Sequence, residues 1–198
     1  LWWFGIDGPN VMSAVATRLM TKMMATNLEL YQAGEGVTAS GVFYTAGSKY
    51  SIIANPFGSG WFSSTGSGIT MGLIVAIMLF SKRDDFKAIA KLAIPCGIFN
   101  INEPIIFGIP MVMNAMFAVP FFLAPVACVC CGYLVQSLGL CPLFIIDVPW
   151  TTPVGLFGFL ASSGNIMGGI WQIVIIVGVS TLIYTPFVIA ANRQEAEA

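Results

Sequence analysis

The sequence predicts an all-α membrane protein built from several transmembrane helices, with broken helices and re-entrant hairpins among them. Only 9% of its 198 residues are charged, whereas 57% are hydrophobic. Soluble domains carry roughly a quarter of their residues as charged side chains. Between Pro104 and Asn192 the sequence contains a single charged residue, Asp147. So few charges fit a lipid bilayer rather than a water-facing surface, and no alternating strand pattern is evident.

The chain opens inside an apolar run. Residues 1–6 resemble the end of a membrane span, and the first residue is Leu1 rather than Met. We therefore expect the chain to be the C-terminal part of a larger membrane protein. Residues 9–31 predict a helix, since Pro9 suits a first helical turn. Four polar residues place this helix at the interface or against the rest of the protein: Arg18, Lys22, Asn27 and Glu29.

Turn-forming residues dominate positions 32–68, and an apolar segment at 69–80 follows. Together with the small residues before it, this segment predicts one membrane span. Residues 81–91 then carry a basic cluster, which consists of Lys82, Arg83, Lys87 and Lys91. The positive-inside bias of membrane proteins places this cluster in the cytoplasm. We favour that topogenic role over a docking surface for a partner protein.

Prolines interrupt the apolar segments of the second half. A short apolar segment covers 88–101, and a longer one covers 104–135. Proline removes a helical hydrogen bond. We therefore expect the longer segment to be broken at its four prolines, Pro104, Pro110, Pro120 and Pro125. Residues 140–160 repeat this pattern, and 166–191 form the cleanest span. Broken helices survive in lipid where protein or a water-filled cavity satisfies the freed backbone groups, as in transporters.

The sharpest functional signal is Asn102-Glu103-Pro104, an acid at the mouth of an apolar segment. Ionisable residues within membrane segments are costly and are functional candidates by default. Asn offers a donor and an acceptor, and Glu offers two acceptor oxygens, as a polyhydroxylated ligand requires. The alternative is a Glu at a helix N-terminus, stabilised by the helix dipole. We favour ligand binding because the flanking segments are so apolar.

Two further polar turns accompany apolar runs. Asp7 and Asn10 could bind substrate or could cap the helix that begins at Pro9. Gly66-Ser67-Gly68 allows close approach of the backbone to a ligand or to another helix. It lacks the Lys-Ser/Thr ending of a P-loop, so that kind of phosphate site is excluded.

A bent segment around Trp150 combines an indole with hydroxyl groups. Asp147 precedes it, and Thr151 and Thr152 follow it, between two prolines. Trp rings are common platforms for sugars, but Trp also marks membrane interfaces. From the residues alone, the interface is the simpler explanation of Trp150.

Composition excludes several classes of function. The chain has no His, and its five cysteines lack the paired Cys-x2-Cys spacing of zinc sites, so we expect no metal and no cofactor. The cysteines are expected to be small buried hydrophobic side chains. A net charge of −1 gives no electrostatic basis for binding nucleic acid.

Several blocks together resemble a known family. The run from Ile101 to Pro110, with Asn114 and residues 119–125 after it, is similar to the membrane-embedded IIC component of bacterial phosphoenolpyruvate–sugar phosphotransferase systems. The lactose/cellobiose/diacetylchitobiose branch is the closest. Further matches in the order typical of the family are residues 4–10, 65–68 and 149–153.

The resemblance implies that Asn102 and Glu103 bind sugar hydroxyls. It also implies that Glu103, the candidate catalytic residue, lies near the hydroxyl that receives the phosphoryl group. Substrate-binding roles follow for the other matched positions, Asp7, Asn10, Gly66, Ser67, Gly68, Trp150, Thr151 and Thr152. This branch usually has His where the chain has Asp7, and Asp lacks the switchable proton of His.

The partners implied by the family are a disaccharide, a IIB phosphocarrier protein whose cysteine donates the phosphoryl group, the lipid bilayer and, in the full-length parent, a second copy. The chain would then be one component of a sugar phosphotransferase, and none of its own cysteines would carry phosphate. Residues 1–198 would form the transport domain, without the N-terminal scaffold half. The expected location is the bacterial inner membrane, crossed several times.

Two alternatives come from other functional classes. In a secondary transporter, Glu103 would carry a proton or help to hold an ion. A structural membrane subunit would have no transport role, and it would have no reason to place Glu103, Asp147 and many prolines at depth.

Overall fold

The computed structural model describes residues 8–109, 111 and 114–196. In this part of the chain helices dominate, and a short antiparallel hairpin accompanies them. The first half contains α1 (Gly8–Gln32), β1 (Val37–Thr38), β2 (Gly41–Val42), α2 (Asn55–Phe57), α3 (Met71–Phe80) and α4 (Asp84–Ile98). The second half contains α5 (Glu103–Gly108), α6 (Ala115–Ser137), α7 (Leu156–Ala161), α8 (Ile166–Ile173) and α9 (Ser180–Ala196). Wider π-helical turns extend α2 over Gly58–Phe62 and join α8 to α9 over Val174–Val179.

Two helices in the described part of the chain are long and apolar enough to cross a membrane. They cover Ala115–Ser137 and Ile166–Arg193. On α6 a stripe of half-exposed apolar side chains follows helical spacing, at Val119, Phe122, Leu123 and Val126. An exposed apolar stripe of this kind suits contact with lipid tails or with another apolar surface.

The span expected at 69–80 is shorter in the structure. The helix α3 begins at Met71 and has ten residues, whereas a crossing needs about 20. The small residues before it form turns instead of extending the helix, because Thr65, Gly66, Gly68 and Ile69 all have positive φ. Those dihedrals lie outside the right-handed helical region.

The expectation that four prolines break the segment 104–135 is wrong for two of them. Pro120 and Pro125 lie inside α6, which continues through both. Both rings are buried against neighbouring elements, and such packing helps membrane helices to tolerate proline. The interruption falls earlier, between the end of α5 at Gly108 and the start of α6 at Ala115.

The hairpin of β1 and β2 was not expected from the sequence. Val37 pairs with Val42, and Thr38 pairs with Gly41. Strands of two residues are too short to show an alternating pattern, so periodicity could not reveal them. The turn is tightened by Thr38, whose hydroxyl donates to the Gly41 carbonyl oxygen at 2.6 Å.

Two hydrophobic clusters form the core. One surrounds Trp61, whose ring stacks on Phe144 with the centroids 5.2 Å apart. The other joins α3, α4, α5 and α9 around Leu73, Ile105 and Tyr184. The turn before α3 contributes Ile69 to the first cluster and accepts a hydrogen bond from the Tyr184 hydroxyl at Gly68. This turn therefore lies where the two clusters meet.

Candidate functional site

Asn102 joins two of the polar blocks that the sequence singled out. Its side chain is 4% exposed, and its Nδ2 donates to the Ser67 carbonyl oxygen at 2.7 Å. A Cβ on Gly66 would lie 2.4 Å from the Asn102 Cγ, so only glycine fits there. The space beside Gly66 is thus filled by the Asn102 side chain. A role of Gly66 in ligand binding stays a prediction.

The turn of residues 65–69 is held in an uncommon conformation. Thr65 and Ile69 have φ of 61° and 51°, and β-branched residues rarely adopt positive φ. The hydroxyl of Thr70 donates to the Thr65 carbonyl oxygen at 3.2 Å, which helps to fix the turn. Backbone strain of this kind persists where the surroundings over-determine it and concentrates at functional sites.

Asn100 joins the same turn to a third block. Its Oδ1 accepts a hydrogen bond from the Thr65 backbone N–H at 2.8 Å. Its Nδ2 donates to the Thr152 carbonyl oxygen at 2.8 Å and also to the Trp150 carbonyl oxygen. Sequence reasoning missed Asn100. The available signal was its position two residues before Asn102 in an otherwise apolar segment.

Glu103 occupies the first turn of α5, directly after Asn102. Its side chain is exposed, and no hydrogen bond or ion pair links it to the other residues that the structure describes. Pro104 follows at the first turn of α5, where its missing N–H breaks no helical bond. The carboxylate is therefore available to an incoming ligand, and it also sits at the positive end of the helix, as the alternative proposed.

A cleft opens beside the Trp150 segment. It has a volume of about 430 Å³ and is lined by Asn55, Ser59, Asp147, Val148, Pro149 and Trp150. The indole is 62% exposed, and Asn55 Nδ2 donates to Asp147 Oδ1 at 3.2 Å. Thr151 is exposed and Thr152 is half-buried. An aromatic face beside a carboxylate and an amide can take the apolar face and the hydroxyls of a sugar.

The structure does not show the side chains of two predicted site residues. Asp7 lies outside the described residues, and Asn10 lies in α1 with its side chain outside them. The ligand-binding role of each predicted site residue stays a prediction. The blocks at 65–68, 100–103 and 150–152 are brought together, chiefly by Asn100 and Asn102.

The basic cluster begins at the turn between α3 and α4, at the far end of α3 from the site, and its Lys87 and Lys91 lie in α4. Asp85 accepts two hydrogen bonds from the Arg83 guanidinium, at 3.1 and 2.6 Å, and these hold the pKa of Asp85 below its ordinary value. The same guanidinium lies 3.8 Å from the Phe86 ring centroid. Lys82 remains exposed, and its backbone N–H donates to Asn192 Oδ1 on α9 at 2.9 Å.

Among the residues that the structure describes, no three His, Cys, Asp or Glu side chains cluster as metal ligands would. The site thus offers carboxylates, amides, backbone carbonyls and an exposed indole. Such groups bind a neutral polyhydroxylated ligand by accepting and donating hydrogen bonds.

Comparison with known proteins identifies related chains. A sequence model of the family "Phosphotransferase system, EIIC" matches residues 1–125. The cellobiose-specific EIIC component of Lactococcus lactis is 36% identical over 205 residues, covering 98% of this chain and 41% of the relative. The lactose-specific EIICB component of Staphylococcus aureus is 33% identical, covering 94% of this chain and 30% of the relative.

A solved structure has the same fold. The crystal structure of ChbC, the IIC component from the N,N'-diacetylchitobiose-specific phosphotransferase system, matches with a TM-score of 0.85 and 32% sequence identity. The match covers 98% of this chain and 42% of ChbC. The chain thus spans about two fifths of the length of the cellobiose relative and of ChbC. The resemblance described from the sequence is confirmed.

Proposed function

Because the chain belongs to the phosphotransferase system EIIC family, we propose that it is the sugar-binding and translocating domain of a IIC permease. Its substrate would be a disaccharide such as cellobiose, diacetylchitobiose or lactose. The observation that carries this proposal is the network of Asn100 and Asn102. The two amides join three polar blocks beside an exposed carboxylate, Glu103, in a chain that is otherwise strongly apolar.

The roles of the site residues follow from their chemistry. The exposed Glu103 carboxylate can accept hydrogen bonds from two sugar hydroxyls, one of them the hydroxyl that later receives the phosphoryl group. Asn102 has its Nδ2 engaged with Ser67, and this leaves its Oδ1 to accept from a further donor. Trp150 would stack on a sugar face. The backbone of the 65–68 turn and the Thr151 hydroxyl would form further hydrogen bonds with the sugar.

We propose that the chain crosses the bacterial inner membrane several times. The long helices Ala115–Ser137 and Ile166–Arg193 would span it. The helices α5 and α7 have six residues each, too few to cross a bilayer, and would belong to re-entrant hairpins. The family members compared are more than twice as long, so residues 1–198 would be the transport half of a longer permease with an N-terminal scaffold half, dimeric when intact.

The phosphoryl donor would be a IIB protein. The Staphylococcus aureus relative carries the name EIICB, which supports a partnership of IIC and IIB components. Phosphorylation would take place on the cytoplasmic side, where the positive-inside bias puts the basic cluster of residues 82–91. The chain would bind and orient the sugar, and the IIB partner would donate the phosphoryl group.

Membrane vesicles containing the intact permease test this function. Phosphorylated IIB and radiolabelled cellobiose are expected to give labelled cellobiose phosphate, and a proton ionophore is expected not to reduce it. Uptake of unmodified sugar that the ionophore abolishes would contradict the proposal and would support a secondary transporter instead. Diacetylchitobiose and lactose, assayed in parallel, identify the preferred sugar.

A further inference from the structure

We propose that Asn100 is a positioning residue for the sugar site, a role that rests on the proposed function. It fixes the backbone of the Trp150 segment to the 65–69 turn. The Trp150 backbone is thereby held next to the segment that carries Asn102 and Glu103. Asn100 itself is 5% exposed and turned into the protein, so it acts through Trp150 and does not touch the ligand.

The side chain of Asn100 uses one acceptor and two donors. Oδ1 accepts from Thr65 N–H, and Nδ2 donates to the carbonyl oxygens of Trp150 and Thr152. A carboxylate could accept but could not donate, and a hydroxyl has a single hydrogen. Only a primary amide of this length makes all three bonds from this position.

The backbone at Asn100 shows that the amide is more than a helix terminator. After α4 ends, Ile101 N–H bonds to the Cys96 carbonyl at 3.0 Å, and Asn100 N–H bonds to the Gly97 carbonyl at 3.1 Å. These two bonds define a Schellman motif, with Asn100 in the left-handed position at φ of 66°. Glycine is the usual residue there, because it takes positive φ without strain. Asn is tolerated, and here it adds a side chain that reaches the other two blocks.

Trp150 depends on this anchor for its placement. No helix or strand includes residues 141–155, and the Trp150 ring is mostly exposed. The backbone of the segment is therefore held by individual hydrogen bonds. Asn100 supplies two of these hydrogen bonds, to the carbonyl oxygens of Trp150 and Thr152. Without these bonds the indole loses its fixed position relative to α5.

The left-handed backbone makes a clean test possible. Asn100→Gly removes the side chain and suits φ of 66°, so the end of α4 keeps its geometry. Asn100→Asp keeps an acceptor for Thr65 and removes both donors. In the intact permease we expect either variant to bind cellobiose about tenfold more weakly. Asn165→Ala is the matched control, because Asn165 also joins two segments, through Met167 N–H and the Ser40 carbonyl. It should leave the affinity unchanged.

A double-mutant cycle separates positioning from general destabilisation. Trp150→Ala is expected to weaken cellobiose binding by a similar factor, and Asn100→Gly should add less than about twofold to that loss, because both changes remove the same contact. In protein labelled with fluorotryptophan, the ¹⁹F resonance assigned to Trp150 by Trp150→Phe should broaden or shift in Asn100→Gly. Asn100→Gly should also lower the melting temperature, because three backbone groups lose their partner, so binding and spectra are measured well below that temperature.

Three results would overturn the inference: wild-type affinity in Asn100→Gly and Asn100→Asp, wild-type affinity in Trp150→Ala, or losses that multiply in the double variant. Its failure can be told apart from failure of the proposed function. If Glu103→Gln weakens binding while the Asn100 variants do not, the sugar site stands and only the positioning role is lost. If the wild-type permease binds none of the three disaccharides, the proposed function itself is contradicted.

Discussion

The Nδ2 of Asn102 lies 2.7 Å from the carbonyl oxygen of Ser67, 35 residues earlier in the chain. This hydrogen bond seats the start of α5 on the turn before α3. The same turn is also held by the Tyr184 hydroxyl, which donates a hydrogen bond to the Gly68 carbonyl oxygen at 2.7 Å. The candidate sugar site is therefore built on backbone carbonyls of a single strained turn.

Gly66→Ala should displace Asn102. A Cβ at this position would lie 2.4 Å from Asn102 Cγ, and φ is 78°. Left-handed backbone costs a non-glycine residue about 1–2 kcal/mol, and overpacking adds about 1–3 kcal/mol. We expect a melting temperature several degrees lower in detergent and weaker binding of cellobiose.

Gly34→Ala is the control for that change. Gly34 has nearly the same dihedral, φ of 75°, but nothing lies within 4 Å of its Cβ position. It should show the backbone cost alone and keep its affinity for sugar. Equal effects of the two substitutions would mean that contact with Asn102 is unimportant.

Gln172→Leu should destabilise the fold strongly. Oε1 of this buried side chain accepts from the N–H groups of Gly155 and Gly158 at 2.8 and 2.7 Å, and its Nε2 donates to the Gly60 carbonyl at 3.1 Å. The substitution leaves these three groups without their partner, at a cost of about 1–3 kcal/mol for a buried group. Thermal unfolding in detergent measures the effect.

Gln136→Leu provides the comparison. Gln136 is equally buried, but the backbone group that it satisfies is a single carbonyl, that of Pro142, at 2.9 Å. Its substitution should lower the melting temperature by a clearly smaller amount. The reverse order would contradict the role assigned to Gln172.

Lys82→Cys tests the orientation in the membrane. The Lys82 side chain is exposed, and only its backbone N–H takes part in the contact with Asn192, so the substitution should leave the turn intact. In a background without the five native cysteines, an impermeant thiol reagent outside intact cells should fail to label it, whereas inside-out vesicles should be labelled. Labelling of intact cells would show that this turn faces the outside, opposite to the proposed topology.

The sequence predicted those features that depend on composition and on strong local signals. Helix α1 and the continuous apolar helix at the C-terminal end were expected, and Glu103 does begin a helix with Pro104 in its first turn. Helix breaks were wrongly predicted at Pro120 and Pro125, because tertiary packing allows α6 to continue through both. Asn100 was missed because its importance comes from partners 35 and 52 residues away. No local pattern encodes such pairings.

The proposed division into scaffold and transport halves predicts what residues 1–198 do alone. Motion of a transport domain needs a fixed partner to move against, and exposed polar backbone in lipid costs several kcal/mol for each unsatisfied group. In liposomes with phosphorylated IIB and labelled cellobiose, this segment should bind sugar weakly at most and should show no transport. Robust accumulation of sugar phosphate would show that the scaffold half is dispensable.

The affinity of the Glu103→Gln permease for cellobiose shows whether the Glu103 carboxylate binds the sugar. The substitution keeps the shape of the side chain and removes its charge, and a hydrogen bond to a charged group is worth about 1.5–3 kcal/mol. Glu35→Gln is the control, since Glu35 is a partly exposed carboxylate paired with Lys49 at 2.8 Å and has no role in the site. We predict that Glu103→Gln raises the dissociation constant about tenfold to a hundredfold while Glu35→Gln leaves it unchanged. An unchanged dissociation constant in Glu103→Gln would contradict the account.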